Sequence, residues 1–245
     1  GPQGFRNTFE TFDFRPDGEW KFVMHGPHGH DYPNVSVFRV IDAPERIEFD
    51  HVSAPQFRMT ITFEPADAQR DREALTALNI QYLEWLDANI QADFGITLPA
   101  LLGQSIRDYV AGSLDKLCAA RPPEGVFYLV RRSGQLAGMG GVRRTPDGAS
   151  EMKRVFVRPD QRGGGLGAII VKRLIADAEA FGYSSMRLDS GPFMKSAHRL
   201  YEAEGFKDRP AYEGAEVPAE VHHNWRFMER ALVGSRRDDS PAELR

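Results

Sequence analysis

The feature that most limits the fold of this chain is a change of hydrophobic period near residue 65. Before it, apolar residues alternate in short runs: Phe9, Phe12 and Phe14; Trp20, Phe22 and Met24; Val35, Val37 and Val40; Ile47 and Phe49; Phe57, Met59, Ile61 and Phe63. A period of two lines one face of a strand. The separators Arg15-Pro16-Asp17-Gly18, Gly26-Pro27-His28-Gly29, Ala43-Pro44-Glu45 and Ser53-Ala54-Pro55 are turn sequences. The expectation is an antiparallel meander of about five strands. Nine of the 16 Phe residues fall in this first quarter, so its core should be aromatic.

From Asp67 the period lengthens. Leu75, Leu78, Tyr82, Trp85 and Leu86 step by three and four, which predicts a helix that stops before Phe94-Gly95. Leu101, Ile106, Tyr109, Val110, Leu114 and Leu117 predict a second helix, ended by Arg121-Pro122-Pro123. A hairpin follows, Val126 to Arg132 and Leu136 to Arg144 around Ser133-Gly134. Then come a strand from Met152 to Val157, a helix through Phe181, a strand from Ser185 to Asp189, a helix from Ser196 to Glu204 and a strand around Trp225 to Met228. Interleaved strands and helices make this part α/β. The polar tail from Gly234 to Arg245 is expected to fray.

Charge and composition exclude several classes. The net charge is -4, and residues 1 to 64 hold six Lys and Arg against ten Asp and Glu, leaving 25 of each sign with no basic block. Nucleic acid is therefore not an expected partner. No run approaches the roughly 18 apolar residues of a membrane helix. The first residues, as given, carry no leader pattern, and the single Cys118 excludes a disulfide framework. A reducing compartment fits, so a cytoplasmic location is expected. His25, His28 and His30 with Asp31 could hold a metal, but Gly26, Pro27 and Gly29 make the segment a hairpin turn first, and no metal is expected.

The chemistry concentrates after the strand Met152 to Val157. There Arg158-Pro159-Asp160-Gln161-Arg162-Gly163-Gly164-Gly165-Leu166-Gly167 leads into a helix with apolar positions Leu166, Ile169, Ile170, Leu174, Ala178 and Phe181. Glycines let backbone N–H groups approach a diphosphate, and a helix N-terminus adds positive potential. The segment lacks the Lys-Ser/Thr of a P-loop and the G-x-G-x-x-G dinucleotide spacing. Ordinary helix-entry geometry is the other reading of such a turn.

The order of parts resembles the GNAT N-acetyltransferase superfamily. Its coenzyme A motif, Gln/Arg-x-x-Gly-x-Gly/Ala after a Val-x-Pro-like strand end, is similar to Val157-Arg158-Pro159 and Arg162-Gly163-Gly164-Gly165-Leu166-Gly167. Its second motif, Ala-x-x-Leu-Tyr-x-x-x-Gly-Phe, is similar to Ala197-His198-Arg199-Leu200-Tyr201-Glu202-Ala203-Glu204-Gly205-Phe206. Where the family often has Asn three residues before that Ala, this chain has Met194. The first quarter resembles the START-like family related to activators of the heat-shock chaperone ATPase. That likeness rests on Asp13-Phe14-Arg15-Pro16-Asp17-Gly18-Glu19-Trp20, on Met24-His25-Gly26-Pro27 with Asp31-Tyr32-Pro33-Asn34, and on Pro44-Glu45-Arg46-Ile47. It lacks the family's first strand and its helices.

These resemblances imply a truncated START-like β-meander over 1–64, a GNAT mixed α/β sheet flanked by helices over 65–233, and a flexible tail over 234–245. A bare meander leaves apolar area uncovered, so residues 1 to 64 should pack on the second part or on another subunit. The GNAT resemblance implies acetyl transfer from acetyl-CoA to a small-molecule or peptide amine in a ternary complex. The pyrophosphate would rest on Arg162, Gly163, Gly164, Gly165, Leu166, Gly167 and Ala168, and the pantetheine would pair with Val155, Phe156 and Val157 as a pseudo-strand. Tyr201 stands where many members keep the acid, Glu151 where several keep a basic Glu. His198, His222 and His223 are alternative bases. Tyr212 and Glu213 border the acceptor region and could recognise a cationic amine. The bland readings are a packed Tyr201, a solvated Glu151 and an ordinary turn at Tyr212. The rival function is a non-catalytic acyl-CoA-binding sensor whose meander mediates assembly. On either reading a second copy of the chain, in a homodimer, is a candidate partner.

Overall fold

The computed structural model describes residues 5–42, 45–215, 217 and 219–233; the tail expected from Gly234 lies outside the described residues. The chain forms two compact units that interleave along the sequence. One takes residues up to Ala119 with Phe127–Gly141 and Arg154–Ile170; the other takes Ala120–Val126, Val142–Lys153 and the chain from Val171.

The first unit opens with β1 (Arg6–Phe12), β2 (Glu19–His25), β3 (Asp31–Asp42), β4 (Arg46–His51) and β5 (Phe57–Pro65). They pair antiparallel in sequence order, the meander that the alternation predicts. The inward positions carry aromatics: Trp20 lies 5.1 Å from Phe22, 5.5 Å from Phe49 and 6.2 Å from Phe38, ring centre to ring centre. The ladder continues, because β5 pairs antiparallel with β6 (Val126–Arg132), Phe63 opposite Val130 and Ile61 opposite Arg132. The meander is therefore a stretch of a larger sheet, and the ladder to β6 satisfies the edge of β5 that an isolated meander would leave open.

Helix α1 (Arg72–Phe94) buries Leu75, Leu78, Leu83, Leu86 and Ile90 and ends at Gly95. The second helix expected from the sequence is two, α2 (Leu98–Leu102) and α3 (Ile106–Leu117). Gly103 takes φ 67° after α2, and the Ser105 hydroxyl accepts from the Asp108 N–H to start α3. The apolar spacing alone does not carry that stop and restart, since Leu101 and Ile106 fit one helical face. Strand β7 (Gln135–Arg144) returns from β6, and β8 (Ser150–Val157) leads to the glycine segment and α4 (Leu166–Ala180).

In the second unit, the start of β8 pairs parallel with β9 (Ser185–Ser190), Ser150 opposite Met186 and Glu151 opposite Arg187. After α5 (Lys195–Ala203), β10 (Lys207–Arg209) and β11 (Arg226–Ala231) complete the order β8-β9-β11-β10. Strand β10 has three residues, too few to show a period, and its ladder to β11 is what defines it. Among the described residues no helix is long and apolar enough to cross a membrane, and no group of three or more metal-ligating side chains gathers. In the turn after β2, His25 Nδ1 lies 2.6 Å from Asp31 Oδ1 and its Nε2 lies 2.8 Å from Thr8 Oγ1, so both ring nitrogens are engaged.

Candidate functional site

The glycine segment belongs to the first unit. Strand β8 ends at Val157, Pro159–Gln161 make one 3-10 turn, and the chain enters α4 at Leu166. Gly163 and Gly165 take φ 97° and 70°, the left-handed region where a Cβ is strained. A Cβ at Gly165 would also stand 2.1 Å from both Cη2 and Cζ2 of Trp20, so a buried aromatic of the meander lies directly against the segment. The Trp20 indole is 1% exposed, and its Nε1 has no hydrogen-bond partner. Gly167, by contrast, has no atom within 4 Å of an added Cβ.

The N–H groups of Ala168 and Ile169 turn back to the Gly165 carbonyl at 2.9 and 3.2 Å. Among the described residues no carbonyl accepts from the N–H groups of Gly163 to Gly167. A chain that leaves consecutive amides unspent at a helix entry offers an anion cradle. Arg162 folds back instead: its Nε donates to the Val157 carbonyl at 3.1 Å, and its guanidinium lies over the Phe156 ring at 5.9 Å. Upstream, Arg154 takes φ 50° inside β8, held by hydrogen bonds to Asn79 and to the Tyr109 hydroxyl. A non-glycine residue there costs about 1–3 kcal/mol. It interrupts the alternation of β8 just before Val155–Val157.

The second unit holds a different kind of site. Glu151 is 0% exposed, yet both carboxylate oxygens are engaged: Arg143 Nε donates to Oε2 at 2.6 Å and the Tyr212 hydroxyl to Oε1 at 2.7 Å. Lys153 Nζ stands 3.5 Å from Glu151 and 3.6 Å from Asp189, and Asp189 accepts from Trp225 Nε1 at 3.0 Å. Burial first, and the Glu151 charge second, push the Tyr212 phenol far above its ordinary range. Arg187 and Arg209 lie over the Tyr212 ring at 5.5 and 5.3 Å. The structure thus brings Glu151 and Tyr212 together. Glu213, on the exposed turn that follows, is not part of this cluster.

Tyr201 lies on α5, buried, its ring 5.9 Å from Phe206. His198, one turn earlier, places Nε2 3.0 Å from Ser190 Oγ; burial and then the Arg226 charge lower its pKa. Met194 stands at the N-cap of α5 and makes no side-chain cap, the bond an Asn there could supply. Sequence reasoning missed Arg143, Lys153, Arg187 and Trp20. Each is an ordinary strand residue in one dimension, and only the ladder brings it to a site.

Residues 89–206 match the acetyltransferase (GNAT) family. An uncharacterized N-acetyltransferase of Schizosaccharomyces pombe is 37% identical over 133 residues, which are 53% of this chain and 77% of that protein. The chain belongs to the GNAT acetyltransferase family. It is a GNAT-type N-acetyltransferase. A GNAT-family acetyltransferase of Staphylococcus aureus shares the fold at TM-score 0.53 and 20% identity, over 70% of this chain and 99% of that one. The PaiA N-acetyltransferase of Thermoplasma acidophilum, solved in complex with coenzyme A, does so at 0.51 and 14% identity, over 70% and 99%. Residues 3–81 match the description "Activator of Hsp90 ATPase homolog 1-like protein", so that likeness runs beyond the meander into α1.

Proposed function

We propose that this chain transfers an acetyl group from acetyl-CoA directly to the amine of a small molecule or peptide bound at the same time. The observation that carries the reading is the run of unspent amides from Gly163 to Gly167 at the entry to α4, in a segment that resembles the family's coenzyme motif and lies within residues 89–206. The two left-handed glycines and the open space at Gly167 fit a diphosphate held by backbone. Val155–Val157 offer strand backbone to the pantetheine. The thioester supplies an activated acetyl carbon. The amine nitrogen bonds to that carbon, the C–S bond breaks, and the sulfur leaves as thiolate.

The nitrogen sheds two protons and the sulfur gains one. Tyr201 donates to the departing thiolate, since a phenol keeps its proton at neutral pH, and regains its proton from the nitrogen, which turns acidic once bonded to the acetyl carbon. The first proton leaves the ammonium before attack, with Glu151 the candidate acceptor. Both Glu151 oxygens already accept a hydrogen bond, from Arg143 and Tyr212, so a proton must reach one of the carboxylate's remaining lone pairs. A water chain to solvent is the competing route, and Glu151→Gln separates the two through the acid limb of the kcat/KM profile. The Tyr212 hydroxyl is committed to Glu151, which leaves Glu213 as the open carboxylate for a cationic acceptor. In domain terms, we read 1–64 as the START-like segment and 65–233 as the acetyltransferase.

The test is release of free thiol from acetyl-CoA by the full chain across a panel of polyamines, amino acids, aminoglycosides and peptide N-termini. Amine-dependent release with one acetylated product per thiol is the expected result. Tight coenzyme binding with no release for any amine would favour the acyl-CoA sensor instead.

A further inference from the structure

Arg132 closes β6, and its guanidinium lies against the glycine segment. A Cβ at Gly164 would stand 3.2, 3.4 and 3.5 Å from its Nη2, Nη1 and Cζ. Both terminal nitrogens are nearer than Cζ, so Gly164 meets the fork end of the guanidinium, which carries its Nη–H donors. Among the described residues no carboxylate or carbonyl accepts from them. The neighbouring Arg131 is paired, its Nε 2.9 Å from Glu64. Arg132 is half-buried, and that burial disfavours its charge.

A partly desolvated cation without a counter-ion costs free energy, and here it lies beside a run of amides that also lack acceptors. Arg162, the loop's own cation, is turned back onto Val157 and Phe156. One anion would satisfy both the free guanidinium and the free amides. We infer that Arg132 binds the diphosphate of the coenzyme, supplying from the β6–β7 hairpin the charge that the glycine loop lacks. The inference rests on the reading of Arg162–Gly167 as the coenzyme loop. Arginine suits the task because its fork can meet two phosphate oxygens at once.

The experiment titrates the full chain calorimetrically with coenzyme A and with 3′-dephospho-coenzyme A, each at several salt concentrations. Native protein, Arg132→Met, Arg132→Lys and Gly167→Val are compared, with circular dichroism to confirm folding. Arg132→Met should weaken both ligands alike by roughly 10-fold to 100-fold. It should also flatten the dependence of affinity on salt, and Arg132→Lys should recover part of each. Undiminished affinity in Arg132→Met, or lost affinity with an unchanged salt slope, overturns the inference. A loss confined to coenzyme A, sparing the dephospho form, moves the contact to the 3′-phosphate and overturns the diphosphate assignment. Gly167→Val reports on the loop itself. If it binds coenzyme A like the native chain, the loop reading fails. If it loses affinity while Arg132→Met does not, the Arg132 inference fails alone.

Discussion

Arg132 and Arg143 stand on the two strands of one hairpin and are treated in opposite ways by what surrounds them. Arg132 faces the glycine segment and has no acceptor among the described residues, and near it the Trp20 Nε1 and the amides of Gly163 to Gly167 are unspent too. Arg143 is spent: its Nε donates to Glu151 and its Nη2 to the Gly214 carbonyl at 2.8 Å. Around it Tyr212, Lys153, Asp189 and Trp225 are each engaged as well. Native structures leave few buried polar groups unpaired, so a cluster of unpaired donors is where a ligand is expected. A cluster whose members are all engaged fixes geometry.

The comparison is broken most directly at Tyr201. If the second unit contributes chemistry as well as positioning, Tyr201→Phe should lower turnover by about 100-fold to 10,000-fold while the Kd for acetyl-CoA stays nearly constant. The variant keeps the ring against Phe206 and removes only the hydroxyl. Full turnover with an amine that the native chain acetylates would reassign Tyr201 to packing.

Next in size is the pair of arginines compared by stability. Arg143→Met leaves Glu151 buried with one charged partner fewer and should destabilise the chain by about 3 kcal/mol. Arg132→Met removes a cation that already lacks a partner and should leave the urea midpoint of the free protein unchanged or raised. Equal losses in the two variants would erase the contrast.

Much of the fold was legible because period and turn chemistry are local. The five meander strands, the β6–β7 hairpin and the helix after the glycine segment all follow from spacing that survives in one dimension. The break between α2 and α3 and the short β10 do not, since one depends on a cap at Ser105 and the other on a partner strand. The glycine segment was legible as a motif that resembles the family's coenzyme site. The surroundings of Glu151 were not: nothing in the sequence around Arg143 or Tyr212 says that ladder and loop deliver both to one buried carboxylate.

The same limit applies to Gly165. From sequence its absent side chain reads as room for phosphate, whereas the structure fills that direction with Trp20. Gly165→Ala should therefore cost about 2 kcal/mol of stability, from its left-handed φ and from contact with the indole. Trp20→Phe withdraws the far ring edge, so the cost of Gly165→Ala should shrink in that background. Strict additivity of the two substitutions would show that the contact carries no energy.

The smallest expected effect compares two buried histidines. His51, in the meander, lies 3.2 Å from Ser36 Oγ and 2.9 Å from Ser53 Oγ, with its ring 4.7 Å from Phe57. Burial lowers its pKa; at His198 burial and the Arg226 charge act together. A histidine whose folded pKa lies below its unfolded value of about 6.5 is held neutral in the native state, so the unfolded chain binds the proton more readily. Its contribution to stability is complete above that unfolded value and is lost as pH falls below it toward the folded pKa. Urea midpoints should accordingly decline between pH 7.5 and 5.5, a window in which carboxylates stay ionised. His198→Gln should flatten that decline more than His51→Gln, because a glutamine has no proton to gain and only His198 faces a fixed cation. A native midpoint constant across the window, or two variants that decline as steeply as the native chain, would remove the histidines from the account.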